Sequence, residues 1–267
     1  DDKLFDAARL SLGALGVATL IELRCVRAYY VRRHVHTLRV AELECRLNAL
    51  ADAYRHVWGL WALGHEELCI AALEDVGDAP ASGARRYDGE NWWAGTPPFV
   101  PPGLRRHADA DADRSTRWHS LQYSVPWPSL GAALSRLGDA VDAYPELRGR
   151  QLELKLLGAG DAPSATLLGS THRPAVCFNV YWRLGAGELP MLDFVEDALR
   201  AGGGAAHPGK RHARALDIAA GGAEVVDRFR AVVGRIDPGG VFGGRALLAH
   251  AADGGGNSTM TDDVDDC

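Results

Sequence analysis

Two segments of this 267-residue sequence carry side chains whose types and spacing could do chemistry. The hexapeptide Ala205-Ala-His-Pro-Gly-Lys210 follows three glycines, and its Pro-Gly pair predicts a turn that delivers Lys210 to a fixed position. Taken alone, this hexapeptide is better explained as a surface turn with a solvated lysine. In the segment 151–156, Glu153 and Lys155 alternate with leucines, so a strand would place both charges on one face. Exposed, such a pair is worth less than about 1 kcal/mol, but on the wall of a cavity it is a site candidate.

Three other patterns are weaker candidates for ligand or metal binding. Gly13 and Gly16 lack Cβ atoms that would keep backbone N–H groups from a phosphate or a flavin ring, but close packing of a strand on a helix explains them more simply. His34 and His36 would share one face of a strand, with no third metal ligand nearby. The alternating Ala-Asp run at 108–113 lacks the central glycine and distal glutamate of a calcium loop, which favours a solvated insertion. We therefore expect no metal site.

Composition argues against a nucleic-acid-binding protein, a disulfide-rich protein and a membrane-spanning one. The formal net charge of -6 and the pI of about 5.9 give no support for binding nucleic acid or other polyanions. The five cysteines form an odd set without a CxxC pair, which predicts free thiols in a reducing compartment. The longest uncharged run, 10–21, is too short to span a bilayer. The sequence begins without methionine or a signal peptide, so we expect that it begins partway through a longer protein.

Apolar periodicity predicts the elements that must position the candidate residues. Helices are expected at 4–9, 41–54, 126–143, 188–200 and 224–235, and strands at 18–26, 56–61, 67–73, 118–125, 151–156 and 175–182. The last strand would present Asn179 and Tyr181 on one face. An irregular insertion is expected near 74–115, and a disordered, acidic tail at 252–267.

Four segments, in this order, resemble the FAD-linked sugar-1,4-lactone oxidases of the vanillyl-alcohol-oxidase superfamily, which include gulonolactone, arabinonolactone and alditol oxidases. Residues 4–17 look like the family's last FAD-domain segment, and residues 151–155 are similar to its strand bearing Glu-x-Arg. Residues 205–210 are similar to its Arg-Pro-His-Trp-Gly-Lys turn, and residues 236–242 to its closing Leu-Asp-Pro-x-Gly-x-Phe. The likeness extends over most of the chain.

This resemblance implies an α+β fold and a two-part organisation. Residues 1–27 would be the C-terminal end of an FAD-binding domain. Residues 28–251 would form a cap, or substrate, domain with a large, mostly antiparallel sheet and flanking helices. The implied reaction is the oxidation of an aldono-1,4-lactone or an alditol with FAD as cofactor and O2 as acceptor, which gives H2O2.

The resemblance also assigns roles by position. The implied residues are Glu153, Lys155 and Lys210 for catalysis, Asn179, Tyr181 and His207 for the substrate, and Ser11, Gly13, Gly16 and Val17 along the flavin. Physically, a cation near the N1 and C2 carbonyl end of a flavin would stabilise the negative charge that develops on reduction.

Several positions depart from the family pattern. Lys155 stands in place of the family's arginine, so a group that could donate two parallel hydrogen bonds is replaced by a single ammonium charge. Ala205, Pro208 and Gly243 replace other residues of the family motifs. The pyrophosphate-binding loop and the histidine that many members link to FAD have no counterpart in this sequence. We therefore expect the FAD domain to come from the same or another polypeptide. Membrane association, in mitochondria or the endoplasmic reticulum, would come through the parent protein. The alternative is a cap-derived sugar-binding or interaction module without cofactor.

Overall fold

The computed structural model describes residues 2–9, 11–78, 81–87, 118–157, 174–183, 189–207, 209–210 and 223–244. The α-helices bounded within these ranges are α1 (Asp2–Ala8), α2 (Leu43–Ala53), α3 (Leu130–Ala143), α4 (Leu189–Ala201) and α5 (Ala223–Ile236). The strands are β1 (Tyr30–Arg39), β2 (His56–Ala62), β3 (Glu67–Gly77), β4 (Arg85–Arg86), β5 (Trp118–Pro126), β6 (Gln151–Leu157), β7 (Ala175–Arg183) and β8 (Ala205–Ala206). Short 3-10 turns lie at Val40–Glu42, Trp127–Ser129 and Pro145–Leu147.

The strands just named form one antiparallel sheet. Their order is β4-β1-β3-β2-β6-β7-β5-β8, and each pair of neighbours runs antiparallel. The prediction of an α+β fold with a large antiparallel sheet and flanking helices is confirmed. The proposed domain limits, with residues 1–27 as the end of an FAD-binding domain, stay a prediction.

Helices α2, α3 and α4 cover one face of this sheet. Each buries an apolar stripe with helical spacing, such as Leu43, Leu47 and Leu50 of α2. These stripes pack with Leu152 and Leu154 of β6 in one continuous core. The leucines of β6 therefore face the helices, and Glu153 and Lys155 lie on the opposite face of the sheet.

The end of α4 fixes the start of β8. A Cβ atom on Gly202 would stand 2.5 Å from the Cα atom of Ala133 in α3, so the two helices approach too closely there for any other residue. The chain then turns through Gly204, and β8 pairs with β5. The segment expected to be a turn at 205–210 thus begins as a two-residue strand.

Most expected elements are confirmed within about two residues of their predicted bounds, but the strand predicted at 18–26 is wrong. Residues 16–29 have no regular secondary structure, and Leu20, Ile21 and Leu23 are 86%, 72% and 78% exposed. An apolar run needs a neighbouring strand to form a sheet, and no described strand pairs with this one.

The expected insertion at 74–115 also begins later than predicted. Strand β3 continues to Gly77, and β4 lies at Arg85–Arg86. The rest of the expected insertion, residues 79–80 and 88–115, and the tail at 252–267 lie outside the described residues. Among the helices that the structure describes, none has the length and hydropathy to cross a bilayer.

Candidate functional site

The register of the sheet places two candidate residues directly opposite each other. Glu153 of β6 pairs with Asn179 of β7, and Asn179 pairs in turn with Gln122 of β5. On the other side of β6, Glu153 pairs with Leu60 of β2. Directly paired residues of antiparallel strands project from the same face, so these four side chains form one row on the face away from the helices.

A second row runs beside the first and contains Lys155. Lys155 lies opposite Trp58 on one side and opposite Cys177 on the other. Its side chain is exposed, and its Nζ atom lies 5.5 Å from the centre of the Trp58 ring, within the range of a cation–π contact. Lys155 therefore lies one pleat from Glu153, on the same face.

Cys177 is a buried neighbour of this pair that sequence reasoning missed. Its Sγ atom accepts a hydrogen bond from Nε2 of Gln122 at 3.0 Å. Burial raises the pKa of the Cys177 thiol, and hydrogen bonds from Gln122 and Ser124 oppose that rise. Cys177 is therefore a neutral thiol that accepts a hydrogen bond from Gln122, and it is not a thiolate nucleophile.

The Lys210 turn is tied to the same part of the sheet. The N–H of His207 donates to the carbonyl of Gln122 at 2.9 Å, which extends the pairing of β8 with β5 by one residue. The N–H of Lys210 then donates to the carbonyl of His207 at 3.0 Å. The Gly209 N–H donates to Nδ1 of His207, also at 3.0 Å. Burial, followed by the nearby charge of Lys210, lowers the pKa of His207.

The glycine segment assigned to the cofactor lies against this turn. A Cβ atom on Gly209 would stand 3.7 Å from Cδ2 of Leu12, and one on Gly16 would stand 3.9 Å from the ring of Phe242. The backbone at Gly13 has a φ of +78°, and apart from Gly13 itself and its two chain neighbours, no heavy atom of the described residues lies within 4 Å of where its Cβ would stand. Among the described residues, none fills the space beside Gly13, so a flat ligand could approach the backbone there.

Two N–H groups of the same segment are already used within it. The N–H of Ala14 donates to Ser11 at 2.9 Å, and the N–H of Gly16 donates to Gly13 at 3.2 Å. These groups are not directed at an anion, so a phosphate cradle is not formed here. Val17, the last residue assigned to the cofactor, is 81% exposed.

Tyr181 is placed by its backbone alone. It pairs with Ser120 of β5, one pleat beyond Asn179 on the same face of β7. The structure does not describe the Tyr181 side chain. The Oγ atom of Ser120 is buried and has no hydrogen-bond partner in the described residues, so this row contains a hydroxyl that could still bind a ligand.

The two histidines considered for a metal lie on the other face. His34 and His36 pair with Ala72 and Ile70, which belong to the helix-covered core. Nε2 of His34 bonds Glu74 at 2.8 Å, and Nε2 of His36 bonds the Tyr54 hydroxyl at 3.1 Å. In the ranges that the structure describes, no group of three or more acidic, histidine or cysteine side chains could hold a metal.

An aromatic cluster beside the two rows was not predicted. Nε2 of His56 and the hydroxyl of Tyr29 lie 2.9 Å apart, and the His56 ring stacks on Tyr87 at 4.7 Å. The neighbouring Trp58 ring lies 5.5 Å from His56. Burial, then the charges of Arg55 and Lys155, lower the pKa of His56. The aromatic residues are visible in the sequence, but their meeting depends on strand pairing.

A cavity of about 460 Å³ lies away from this face, between α2 and α3, with Glu44, Glu66 and Ser135 in its wall. It contains none of the residues that the sequence predicted for the site. The two rows of polar side chains on the open face are therefore the better candidate, because they bring those residues together.

Comparisons with known proteins give related sequences and a shared fold, although no family model matches the chain. The chain is 25% identical over 271 residues to L-gulono-1,4-lactone dehydrogenase of Mycobacterium tuberculosis, in the CDC 1551 and H37Rv strains. The alignment covers 91% of this chain and 62% of the relative, so the chain spans less than two thirds of the length of these curated relatives.

Two solved structures have a similar fold. The first is 6-hydroxy-D-nicotine oxidase from Arthrobacter nicotinovorans, with a TM-score of 0.52 and 17% identity over 90% of this chain and 59% of that one. The second is a variant of the Physcomitrella patens BBE-like 1 protein, with a TM-score of 0.55 and 8% identity over 91% of this chain and 59% of that one. The two solved structures show the shared fold, and the curated sequence relatives support the resemblance of this chain to the FAD-linked sugar-lactone oxidases.

Proposed function

We propose that this chain is the substrate-binding part of a flavin-dependent oxidase that oxidises an aldono-1,4-lactone or an alditol with O2, giving H2O2. The observation that carries this proposal is the row in which Glu153 lies opposite Asn179 and Asn179 lies opposite Gln122. The turn bearing Lys210 is hydrogen-bonded to the end of that row through His207. The name of the Mycobacterium relative, a lactone dehydrogenase, supports the choice of substrate.

The two rows match the chemistry of a polyhydroxylated substrate. The Glu153 carboxylate can accept hydrogen bonds from hydroxyls, the Lys155 ammonium can donate them, and the Asn179 amide can do both. Hydrogen bonds to charged groups are worth about 1.5–3 kcal/mol each, so a few of them can fix the orientation of a small sugar. In this proposal, Tyr181 and His207 add contacts at the two sides of Asn179.

The open side of the glycine segment would receive the flavin edge. Ser11, Gly13, Gly16 and Val17 would line it through backbone atoms, with Gly13 allowing the closest approach. The chemistry that FAD supplies when bound is acceptance of the hydride from the carbinol carbon, followed by transfer of both electrons to O2. The ammonium of Lys210 would stabilise negative charge that develops beside it. The phosphates of FAD would be held by the FAD domain outside this chain.

The domain organisation belongs to the same proposal. Residues 1–27 would complete the FAD domain, and residues 28–251 would form the cap that holds the substrate against it. Leu12 lies near Gly209 and Gly16 lies near Phe242, since a Cβ atom on either glycine would stand within 4 Å of that side chain, and this proximity supports the arrangement.

A second candidate is a sugar-binding module without cofactor. The internal hydrogen bonds of Ala14 and Gly16 favour it, since they remove two N–H groups that could hold a cofactor. The replacement of the family arginine by Lys155 points the same way. This candidate predicts lactone binding without flavin absorbance or oxygen consumption.

The test is an oxygen-consumption assay of the native polypeptide that contains this chain, purified with FAD. L-Gulono-1,4-lactone, D-arabinono-1,4-lactone and an open-chain alditol would be compared. For Glu153→Gln we expect kcat/KM to fall about tenfold to a hundredfold, since one charged hydrogen-bond acceptor is lost. For Lys210→Ala we expect flavin reduction to slow about a hundredfold.

The matched control is Glu67→Gln, which removes a carboxylate from an exposed position at the start of β3. It should leave the rates unchanged. A colourless protein that consumes no oxygen with any of these substrates would contradict the oxidase, and equal rates for Lys210→Ala and the parent would remove Lys210 from the mechanism.

A further inference from the structure

His207 has four polar groups, and three of them are engaged within the turn. Its backbone N–H donates to Gln122 at 2.9 Å, and its carbonyl accepts the N–H of Lys210 at 3.0 Å. Its Nδ1 atom accepts the N–H of Gly209 at 3.0 Å. Nε2 is the remaining polar group, and it has no hydrogen-bond partner in the part of the chain that the structure describes.

The hydrogen bond from Gly209 fixes the tautomer of the imidazole. A backbone N–H can only donate, so Nδ1 must carry a lone pair, and the single proton of a neutral ring must lie on Nε2. Burial and the positive charge of Lys210 lower the pKa of His207, and together they outweigh a hydrogen bond to its own backbone that raises it. A second proton on the ring is therefore disfavoured, and it would break the bond to Gly209.

The strand before His207 fixes the face on which the ring lies. Ala205 pairs with Ser124 of β5, and Ser124 pairs with Cys177 of β7, which lies in the row of Lys155. Since residues two apart along a strand share a face, His207 lies on the face of Glu153 and Lys155. Its backbone contact with Gln122 places it at the end of the row that contains Asn179.

We infer that His207 is a fixed hydrogen-bond donor of the proposed site, whose Nε2–H donates to an oxygen of the bound lactone or alditol, and that it is not the base that takes the substrate proton. A general base needs a lone pair directed at the proton, and the lone pair of His207 is held by Gly209. The role as substrate donor rests on the proposed function, whereas the tautomer rests on the turn alone.

The tautomer can be measured without cofactor or turnover. In a ¹⁵N-labelled sample of the whole chain near pH 7.5, long-range ¹H–¹⁵N correlation spectra distinguish protonated from unprotonated ring nitrogens. We expect unprotonated Nδ1 and protonated Nε2 for His207, identified by the resonances that disappear in His207→Gln. An Nδ1–H tautomer, or a mixture of the two, would overturn the inference.

Two substitutions separate the two ring nitrogens. In His207→Asn the side-chain oxygen can replace Nδ1 as the acceptor for Gly209, but nothing replaces Nε2. In His207→Gln an amide reaches about the position of Nε2 and can donate, while the acceptor near Gly209 is lost. We expect the dissociation constant of L-gulono-1,4-lactone, measured by calorimetry, to rise about tenfold in His207→Asn and less than about threefold in His207→Gln.

The control for loss of a histidine is His65→Gln, at an exposed turn between β2 and β3, which should leave affinity unchanged. Equal weakening in His207→Asn and His207→Gln would overturn the donor role. If the parent binds neither lactones nor alditols while the spectra show the Nε2–H tautomer, the proposed function and the substrate role of His207 both fail, and the tautomer stands.

Discussion

Lys155 stands where the family that this chain resembles has an arginine, and its surroundings show which interactions the lysine makes there. The ammonium lies over Trp58, and its charge is one cause of the lowered pKa of His56. An arginine could keep the contact with Trp58, because guanidinium groups also stack on aromatic rings, and its positive charge would still act on His56. Its planar guanidinium could in addition donate two parallel hydrogen bonds to hydroxyl oxygens.

We therefore predict that Lys155→Arg tightens substrate binding. KM for the lactone should fall several-fold with little change in kcat, since the added hydrogen bonds hold substrate and transition state alike. Lys155→Met, which keeps length but not charge, should raise KM. Independently of turnover, NMR titration should show that the pKa of His56 rises in Lys155→Met, because one of the two charges that lower it is gone. An unchanged His56 titration in Lys155→Met would show that the two side chains do not interact.

The sequence was sufficient to pair Glu153 with Lys155 and to place Asn179 near Tyr181, because these pairs depend on alternation within one strand. It could not show that Glu153 lies opposite Asn179, or that Trp58 and Cys177 flank Lys155. Those contacts depend on register between strands far apart in sequence, and no local pattern encodes it.

At the scale of elements, buried hydrogen bonds between α4 and β5 stabilise the strand on which β8 pairs, and β8 leads to the Lys210 turn. The Glu196 side chain of α4 is fully buried and accepts a hydrogen bond from the Tyr123 hydroxyl at 2.6 Å. Arg200 also hydrogen-bonds Tyr123, whose backbone lies opposite Ala206 of β8. Burial, then the bond to Glu196, raises the pKa of Tyr123, so the phenol stays protonated and donates.

We predict that Tyr123→Phe destabilises the chain by about 1–3 kcal/mol, because the buried Glu196 carboxyl group loses a donor and cannot reach water. Urea unfolding at pH 7.5 measures this. The control is Tyr144→Phe, which removes a hydroxyl that makes no hydrogen bond within the described residues and should cost less than about 0.5 kcal/mol. Equal midpoints for the two variants would mean that the bond to Glu196 contributes nothing to folding.

Most helices and strands were predicted from their local patterns, but the segment 18–26 and strand β8 were not predicted correctly. The stripe of α2 is visible in the sequence because Leu43, Leu47 and Leu50 recur at helical spacing. The run at 18–26 is as apolar as a strand, yet no described strand pairs with it. Strand β8 is only two residues long, and its sequence, Ala-Ala, carries no strand preference.

At the scale of the whole molecule, titratable groups on both faces of the sheet make stability depend on pH. Burial is the largest cause of the lowered pKa of His36, His56 and His207. In the unfolded chain these histidines titrate near pH 6.5. Two carboxyl groups have lowered pKa values in the folded state, which stabilises the fold. The main cause is a hydrogen bond from His34 for Glu74 and one from the Gly77 N–H for Asp75.

The sign for the histidines follows from proton linkage. Between about pH 6.5 and the lower pKa values of the folded state, the unfolded chain binds more protons, so the free energy of unfolding falls as pH falls. Above about pH 7.5 these histidines are neutral in both states and contribute no slope. The two carboxyls stabilise the fold above their unfolded pKa values, about 4, and that contribution is lost as pH falls below them.

We predict a decline of stability in two steps, the first beginning near pH 6.5 and the second below about pH 4. Urea midpoints measured between pH 8 and pH 3.5 test this. His56→Gln should make the first step shallower, because one half-buried imidazole with a lowered pKa is removed, whereas His65→Gln, at an exposed turn, should not. A midpoint that is constant from pH 8 to pH 5 would contradict the lowered histidine pKa values. His207 is one of the three histidines with a lowered pKa. Its protonation at low pH should also break the hydrogen bond from Gly209, since a doubly protonated imidazole cannot accept it.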